Sequence, residues 1–139
     1  FKPLSNDAIN DSSKLHQENF FISDESAKKI NSQLKDNKRI IAIGTTTLRA
    51  LESSWNNETN SVSPGKQTTT IFIKEGFKFN VANALLTNFH LPQSSLLMLV
   101  CAFAGKELIF SMYEFAIKNN LRFFSYGDAM IIERCPLNY

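Results

Sequence analysis

The sequence is poor in the residues that cross-link small extracellular proteins. It has two cysteines, Cys101 and Cys135, whose positions match neither a disulfide framework nor a metal-ligand spacing. No basic segment followed by an apolar one opens the chain, as it would in a secretory signal peptide. We therefore expect no bound metal and a reducing, cytoplasmic location. Because the chain begins at Phe1 without a methionine, we also expect it to be a fragment or a processed chain.

Long apolar runs and a strong charge of either sign are also absent. The most apolar segment, residues 96–104, is shorter than the roughly 18 residues that a membrane span needs, which predicts no membrane association. The formal net charge is only +2, too small to indicate nucleic-acid binding by itself. What is present is 43% hydrophobic residues in 139, including 12 phenylalanines, which is enough for the core of one domain.

Residues 84–105 predict a strand, a polar turn and a helix, around which the rest of the chain is arranged. Pro92 lacks an amide hydrogen and marks the break between the two elements. Ser94 and Ser95 are suitable helix N-caps, and the absence of polar residues in 96–104 predicts a helix buried on every side. The positive end of that helix would face His90, which indicates either a functional site or a hydrogen-bonded structural corner.

The remaining sequence alternates between strand and helix patterns. Together they predict a mixed α/β sheet with helices packed on it. The segment 39–43 has the composition of a buried, parallel strand, and residues 129–132 fit a strand or a helix. Further strands are predicted at 15–22, 68–73, 77–81 and 121–124, helices at 24–37, 48–53 and 107–119, and a surface loop at 54–67.

Three local patterns contain candidate functional groups. The turn at Gly44 precedes a helix, so its free amides and following threonines can bind an anion, although it lacks the second glycine and the lysine of a P-loop. Arg49 shares a helix face with Glu52, and a capped helix with a surface ion pair explains this segment equally well.

His16 and Glu18 are two residues apart on a predicted strand and would project from the same face. They fit acid–base chemistry or, as the commoner alternative, a surface ion pair. Asp128 follows a glycine beside an apolar element, where α/β folds often place functional groups, but an Asx-turn explains it too.

Longer motifs carry a family resemblance. The strings GTTTLRALES at 44–53, LLTNFHLPQSSLLMLVCAFAG at 85–105 and RFFSYGDAM at 122–130 resemble the S-adenosylmethionine:tRNA ribosyltransferase-isomerases of queuosine biosynthesis. Residues 1–4 and 15–18 are similar to two further motifs. The order and gaps match the C-terminal part of a chain more than twice as long, with the N-terminal half absent. Gln17 and Asn83 replace a serine and an aspartate that are usual in the family.

The resemblance implies both a fold and a reaction. The family combines an α/β domain with a separate β-barrel domain, and residues 1–139 would be the C-terminal α/β portion. The implied reaction moves the ribosyl group of S-adenosylmethionine onto 7-aminomethyl-7-deazaguanine at the tRNA wobble position. It forms epoxyqueuosine and releases adenine and methionine. S-adenosylmethionine is then a co-substrate, tRNA the partner, no other cofactor is needed, and we expect a cytoplasmic monomer.

The chemistry suggests roles for the motif residues. His90 is our candidate for the base that removes a proton beside the sulfonium, with Glu18 and Asp128 as rivals, and His16 or Asp128 would protonate the departing adenine. We expect His90, Thr46 and Asp128 to converge on one pocket. The implied substrate-binding residues are an anion-binding group, a base-stacking group and neighbouring motif positions: Gly44, Thr45, Thr46 and Arg49; Phe124 and Tyr126; and Thr87, Asn88, Ser95 and Gly127.

Two other functions fit less of the sequence. A non-catalytic RNA-binding or interaction fragment of the same enzyme would explain the missing N-terminal half. A generic S-adenosylmethionine-dependent methyltransferase would require a glycine-rich first turn with an acidic residue about 20 positions later, and that pattern is not found.

Overall fold

The computed structural model describes residues 14–135, with side chains from Gln17 onward. The motif at residues 1–4 lies outside this range. Four helices and seven strands follow in the order β1 (Lys14–Ile22), α1 (Asp24–Lys35), β2 (Ile41–Ile43), α2 (Thr45–Ser53), β3 (Trp55–Asn56), β4 (Ser61–Val62), β5 (Gly65–Ile71), β6 (Ala84–Asn88), α3 (Ser95–Ala104), α4 (Lys106–Lys118) and β7 (Ala129–Glu133), with a 3-10 turn at Phe124–Tyr126 before β7.

The central sheet has three strands in the order β2-β6-β7. Strand β6 pairs in parallel with β2 and antiparallel with β7, which confirms a mixed α/β sheet. The side chains on one face are buried and join the core: Ala42, Leu85, Thr87, Met130 and Ile132. The expectation that the β2 segment is buried was wrong in part, because Ile41 and Ile43 on the other face are 46% and 68% exposed.

Two short antiparallel ribbons complete the strands. Strand β1 pairs with β5, and β3 pairs with β4 inside the region predicted as loop. Asn31 of α1 holds the β4 backbone by a pair of side-chain hydrogen bonds to Val62, at 2.8 and 2.9 Å. This contact between distant segments explains why local composition did not predict the β3–β4 ribbon.

Helix α3 begins where its serine cap predicts, since the Ser94 hydroxyl accepts from the Leu97 amide at 3.1 Å. Burial on every side was wrong, however. Leu97, Met98 and Cys101 line a cleft of about 510 Å³ and are not fully buried, although Leu97 and Cys101 also pack against the core. No single helix among residues 14–135 is long and apolar enough to cross a membrane; α3 and α4 together pass that test but are bent by 116°.

The segment 77–81 is not the predicted strand. Its alternating phenylalanines do point inward, but its backbone bonds to a side chain. The buried Glu52 carboxylate accepts from the amides of Asn80, Val81 and Ala82 at 2.8, 3.1 and 3.0 Å. Burial raises the pKa of Glu52, whereas these hydrogen bonds and the charge of Arg134 oppose the shift.

One other local prediction needs correction. Residues 121–123 form a loop and Phe124 begins the 3-10 turn, so the strand predicted at 121–124 is not present. Asn83, in the position of the family's aspartate, has a structural role: its Oδ1 accepts from the Ile40 amide at 2.8 Å, and its carbonyl accepts from the Arg134 amide at 2.9 Å. An aspartate could accept the same hydrogen bonds, so the replacement leaves this contact intact.

Replacing Glu52 with alanine should destabilise the fold strongly, because three backbone amides would lose their acceptor in a buried place. We expect the free energy of unfolding to fall by about 3 kcal/mol, measured by urea denaturation. Glu25 is a matched control, since this helix glutamate is exposed and pairs only with Lys29. Glu25→Ala should change the free energy by less than about 0.5 kcal/mol. Equal losses of unfolding free energy in the two variants would contradict a structural role for the Glu52 carboxylate.

Candidate active site

The motifs at 44–53, 85–105 and 122–130 meet at one edge of the central sheet, where strands end or begin. Gly44 follows β2 and donates its amide to the Leu86 carbonyl of β6 at 2.8 Å. Because β2 and β6 run parallel and β7 runs opposite, the end of β2, the end of β6 and the start of β7 share this edge. With strands spaced roughly 4.8 Å apart, segments on the two sides of β6 lie about 10 Å from each other. This edge is the candidate active site.

His90 is held in place by hydrogen bonds to both its backbone and its side chain. Its backbone amide donates to the Tyr113 hydroxyl at 2.7 Å, and its Nε2 lies 3.0 Å from the Thr87 hydroxyl. Tyr113 in turn packs against the rings of Phe89 and Phe123. Burial lowers the pKa of His90, so the imidazole is neutral at pH 7.

A cleft of about 170 Å³ opens beside His90, at the N-terminus of α3. It is smaller than the roughly 300–1,000 Å³ of most small-molecule pockets, so it can hold only part of a substrate as large as S-adenosylmethionine. Four polar and three apolar residues line it: Asn88, His90, Ser94 and Ser125, and Leu91, Leu96 and Phe124.

Asp128 lies at the same edge but is engaged by its own loop. The carboxylate accepts from the Arg122 amide at 2.6 Å and from its Nε at 3.2 Å. The Arg122 side chain and amide hold the pKa of Asp128 below its usual value, so the group stays ionised. Its carbonyl also accepts from the Asn88 side chain at 3.0 Å. These contacts favour a structural role over proton donation. They are not those of an Asx-turn, in which the side chain bonds to the backbone two residues later.

The turn before β7 requires a glycine. Gly127 has φ of +122°, and a Cβ there would lie 3.2 Å from Nη2 of Arg122. Phe124 adopts φ of +63°, which is uncommon for a residue with a side chain, and its amide donates to the Phe89 carbonyl at 3.0 Å. Tyr126 is 75% exposed. The two aromatic side chains are therefore accessible to a ligand, but stacking on a base stays a prediction.

Arg49 does not form the surface pair with Glu52 that we considered. Only 5% of Arg49 is exposed, and its Nη1 donates to the half-exposed Glu18 of β1 at 2.7 Å. Its Nε and Nη2 are buried and have no hydrogen-bond partner within residues 14–135. These two nitrogens form one edge of the guanidinium, the fork that binds a carboxylate or phosphate with paired hydrogen bonds.

The remaining predicted residues are placed as follows. Thr45 is buried and Thr46 exposed in the first turn of α2, and Ser95 is buried in the first turn of α3. His16 lies in β1, but its side chain is outside the described part. The pairing of β1 with β5 shifts between Lys14 and Glu18, so strict alternation does not apply there, and a shared face for His16 and Glu18 stays a prediction.

Sequence reasoning missed two residues that hold the site. Tyr113 is a buried tyrosine on an otherwise apolar helix stripe, and a buried hydroxyl needs a partner, which is the signal that could have found it. Arg122 had no such signal, because its pairing with Asp128 depends on how the loop closes. No group of three or more His, Cys, Asp or Glu side chains in the described chain is arranged to hold a metal ion.

Fold and site together define a class: an α/β domain whose polar groups gather at the carboxyl ends of neighbouring strands, where such sheets bind their ligands. A sequence model of the family described as "Queuosine biosynthesis protein" matches residues 1–132. The chain belongs to this family, as its motifs predicted.

Curated relatives carry the name of an enzyme. A protein of Treponema denticola named S-adenosylmethionine:tRNA ribosyltransferase-isomerase is 48% identical over 132 residues, which cover 95% of this chain and 38% of the relative. One of the same name from Rickettsia africae is 51% identical over 134 residues, covering 96% and 36%. The chain thus spans less than two fifths of the length of these relatives, and the match is to a C-terminal portion.

A solved structure supports the fold. The S-adenosylmethionine tRNA ribosyltransferase of Thermotoga maritima superimposes with a TM-score of 0.72 at 41% identity. The match covers 84% of this chain and 41% of that chain. The α/β architecture described above is therefore that of a solved protein bearing the enzyme's name.

The low pKa of His90 predicts an acid-sensitive contribution to stability. Because the folded state favours the neutral imidazole, protonation favours unfolding, and the free energy of unfolding should fall as the pH drops below about 6.5. Urea denaturation at pH 7.5 and pH 5 should show a smaller loss in His90→Gln than in the unchanged chain. An NMR titration should place the midpoint of His90 below 6.5. A midpoint at or above that value would contradict the burial effect.

Proposed function

We propose that this chain is the α/β portion of an enzyme that transfers and rearranges the ribosyl group of S-adenosylmethionine on tRNA. The product would be epoxyqueuosine at the wobble position, formed from 7-aminomethyl-7-deazaguanine in the cytoplasm by a monomeric enzyme. The observation that carries the proposal is a half-buried His90, whose pKa is lowered by burial, beside a cleft at the N-terminus of α3 in a chain whose relatives bear this enzyme's name. We assign the implied β-barrel domain to the part of the relatives' length that this chain does not span.

His90 is the proposed base. The sulfonium makes the adjacent 5′ carbon acidic, and a neutral imidazole with a lowered pKa is matched to proton removal near pH 7. The positive end of α3 disfavours a protonated imidazole in the resting enzyme. Since Thr87 bonds to Nε2, we assign Nδ1 as the nitrogen that accepts the proton.

An anion is the proposed ligand of the α2 segment. The backbone amides that begin α2 and the unpaired Nε and Nη2 of Arg49 suit a carboxylate or phosphate. The anion is either the methionyl carboxylate or a tRNA phosphate. Glu18 forms an ion pair with Arg49 in the free protein, so we assign it to the anion site and not to proton removal. The ionised Asp128 would order the loop bearing Phe124 and Tyr126, and His16 is left as the acid that protonates adenine.

Removing the His90 imidazole should slow adenine release. In the full-length Treponema denticola relative, glutamine at the position aligned with His90 should reduce adenine formation from S-adenosylmethionine and substrate tRNA by about 10²–10⁴-fold. Glutamine at the position aligned with the exposed Lys118 is the control and should leave the rate unchanged. Near-normal release from the first variant would exclude His90 as the base.

Arg49→Lys should separate the two possible anions. Lysine keeps the positive charge but loses the paired donors, so binding of the anion should weaken at least tenfold. If the anion is the methionyl carboxylate, calorimetry should show weaker S-adenosylmethionine binding with tRNA affinity unchanged. If it is a phosphate, tRNA affinity should fall instead. Unchanged affinity for both ligands would contradict an anion site at Arg49.

A non-catalytic RNA-binding fragment is the second candidate. It is favoured by the small cleft and by coverage of only 36–38% of the relatives. Mixing this chain with S-adenosylmethionine and substrate tRNA distinguishes the two candidates. Adenine release supports the enzyme, whereas tRNA binding without adenine supports the fragment.

A further inference from the structure

One face of the central sheet carries a row of exposed apolar side chains. Ile43, Leu86 and Ile131 are register neighbours across β2, β6 and β7, so they stand side by side on this face. Ile43 is 68% exposed and Ile131 57%, and Leu86 is half-buried between them. Ile41, two residues before Ile43, extends the row along β2 and is 46% exposed. We call these four residues the open sheet face.

The border of the open sheet face is polar. Arg39 and Glu133 form an ion pair at one end, where Glu133 pairs in register with Ala84. Asn88, at the opposite end of β6, marks the other limit. An apolar centre with a charged or polar rim is the composition of a protein interface, and scattered surface hydrophobics do not show this arrangement.

The helices cover the other face. The sheet residues Ala42, Leu85, Met130 and Ile132 belong to one core cluster, to which α2 and α3 contribute. Helix α2 contacts β2 and β6, and α3 contacts β7. All-parallel sheets almost always have both faces covered, whereas a sheet with antiparallel strands can leave one face in water when that face is polar. This sheet is mixed, but its second face carries apolar side chains, and apolar surface is unfavourable in water. A layer on the open sheet face is therefore expected.

We infer that the open sheet face is the docking surface for the segment of the family's chain that precedes the matched region. The relatives supply enough chain for such a layer, since this sequence spans only 36–38% of their length. The Thermotoga maritima structure contains the same α/β fold together with more than half of its chain outside the match. The preceding segment therefore covers the open sheet face with an apolar layer. A second copy of this chain is the alternative that the test must exclude. The inference rests on family membership and is independent of the proposed activity.

Thiol labelling can test whether the face is covered. Ile43→Cys is introduced into this chain with Cys101 and Cys135 replaced by serine, and Ile117→Cys serves as the control. Ile117 lies on α4, is 64% exposed and is off the open sheet face. The same two aligned positions are changed to cysteine in the full-length Treponema denticola relative, with its other cysteines replaced by serine. Maleimide labelling rates are then compared under native conditions.

The two cysteines should label at similar rates in this chain. In the full-length relative, the cysteine aligned with Ile43 should label at least tenfold more slowly than the one aligned with Ile117. Equally fast labelling in the relative would overturn the inference. Slow labelling of Ile43→Cys in this chain alone, relieved by dilution, would identify a second copy as the occupant and overturn it too.

A stability measurement gives an independent result if a cysteine variant fails to fold. Aspartate at the position aligned with Ile131 should lower the midpoint of thermal unfolding of the full-length relative by several degrees, because a charge would be buried. Ile131→Asp in this chain, where the side chain is exposed, should shift the midpoint far less. Equal shifts in the two proteins would contradict burial of this face by the preceding segment.

Discussion

Strand β6 is the element on which the rest of the structure depends, because it is hydrogen-bonded on both sides. Its parallel pairing with β2 and antiparallel pairing with β7 bring three distant segments to one edge of the sheet. Gly44 bonds directly to Leu86, and the chain then continues from Asn88 to His90. Backbone pairing therefore determines where the candidate site lies and where its side chains are placed.

Buried polar groups then fix the loops around this edge. Glu52 replaces a strand partner for the segment before β6, and Tyr113 fixes the backbone of His90. Asp128 fixes the loop before β7 through Arg122. Each of these groups is satisfied by the protein itself, whereas the buried Nε and Nη2 of Arg49 have no partner among the described residues. A buried donor pair without a partner is unfavourable unless something fills it, which distinguishes Arg49 from the structural polar residues.

Local signals predicted the elements with clear ends. The serine cap at Ser94 placed the start of α3 correctly, since capping depends on a few neighbouring residues. Predictions failed where distant groups decide the outcome. Alternation at 77–81 indicated a strand, but Glu52 takes the amides there. The family motifs indicated the region of the candidate site, while the partners of Asp128 and Arg49 depend on tertiary packing.

Two unfavourable features remain in residues 14–135. Two buried nitrogens of Arg49 have no partner there, and the central sheet has an apolar face in water. Both are unfavourable in isolation, yet the described part of the chain folds with a continuous core. A preceding segment that covers the sheet would hold β2 and β6 rigid, and thereby also fix the edge where Gly44 and His90 lie. Covering the face and completing the site would then be two effects of the same contact.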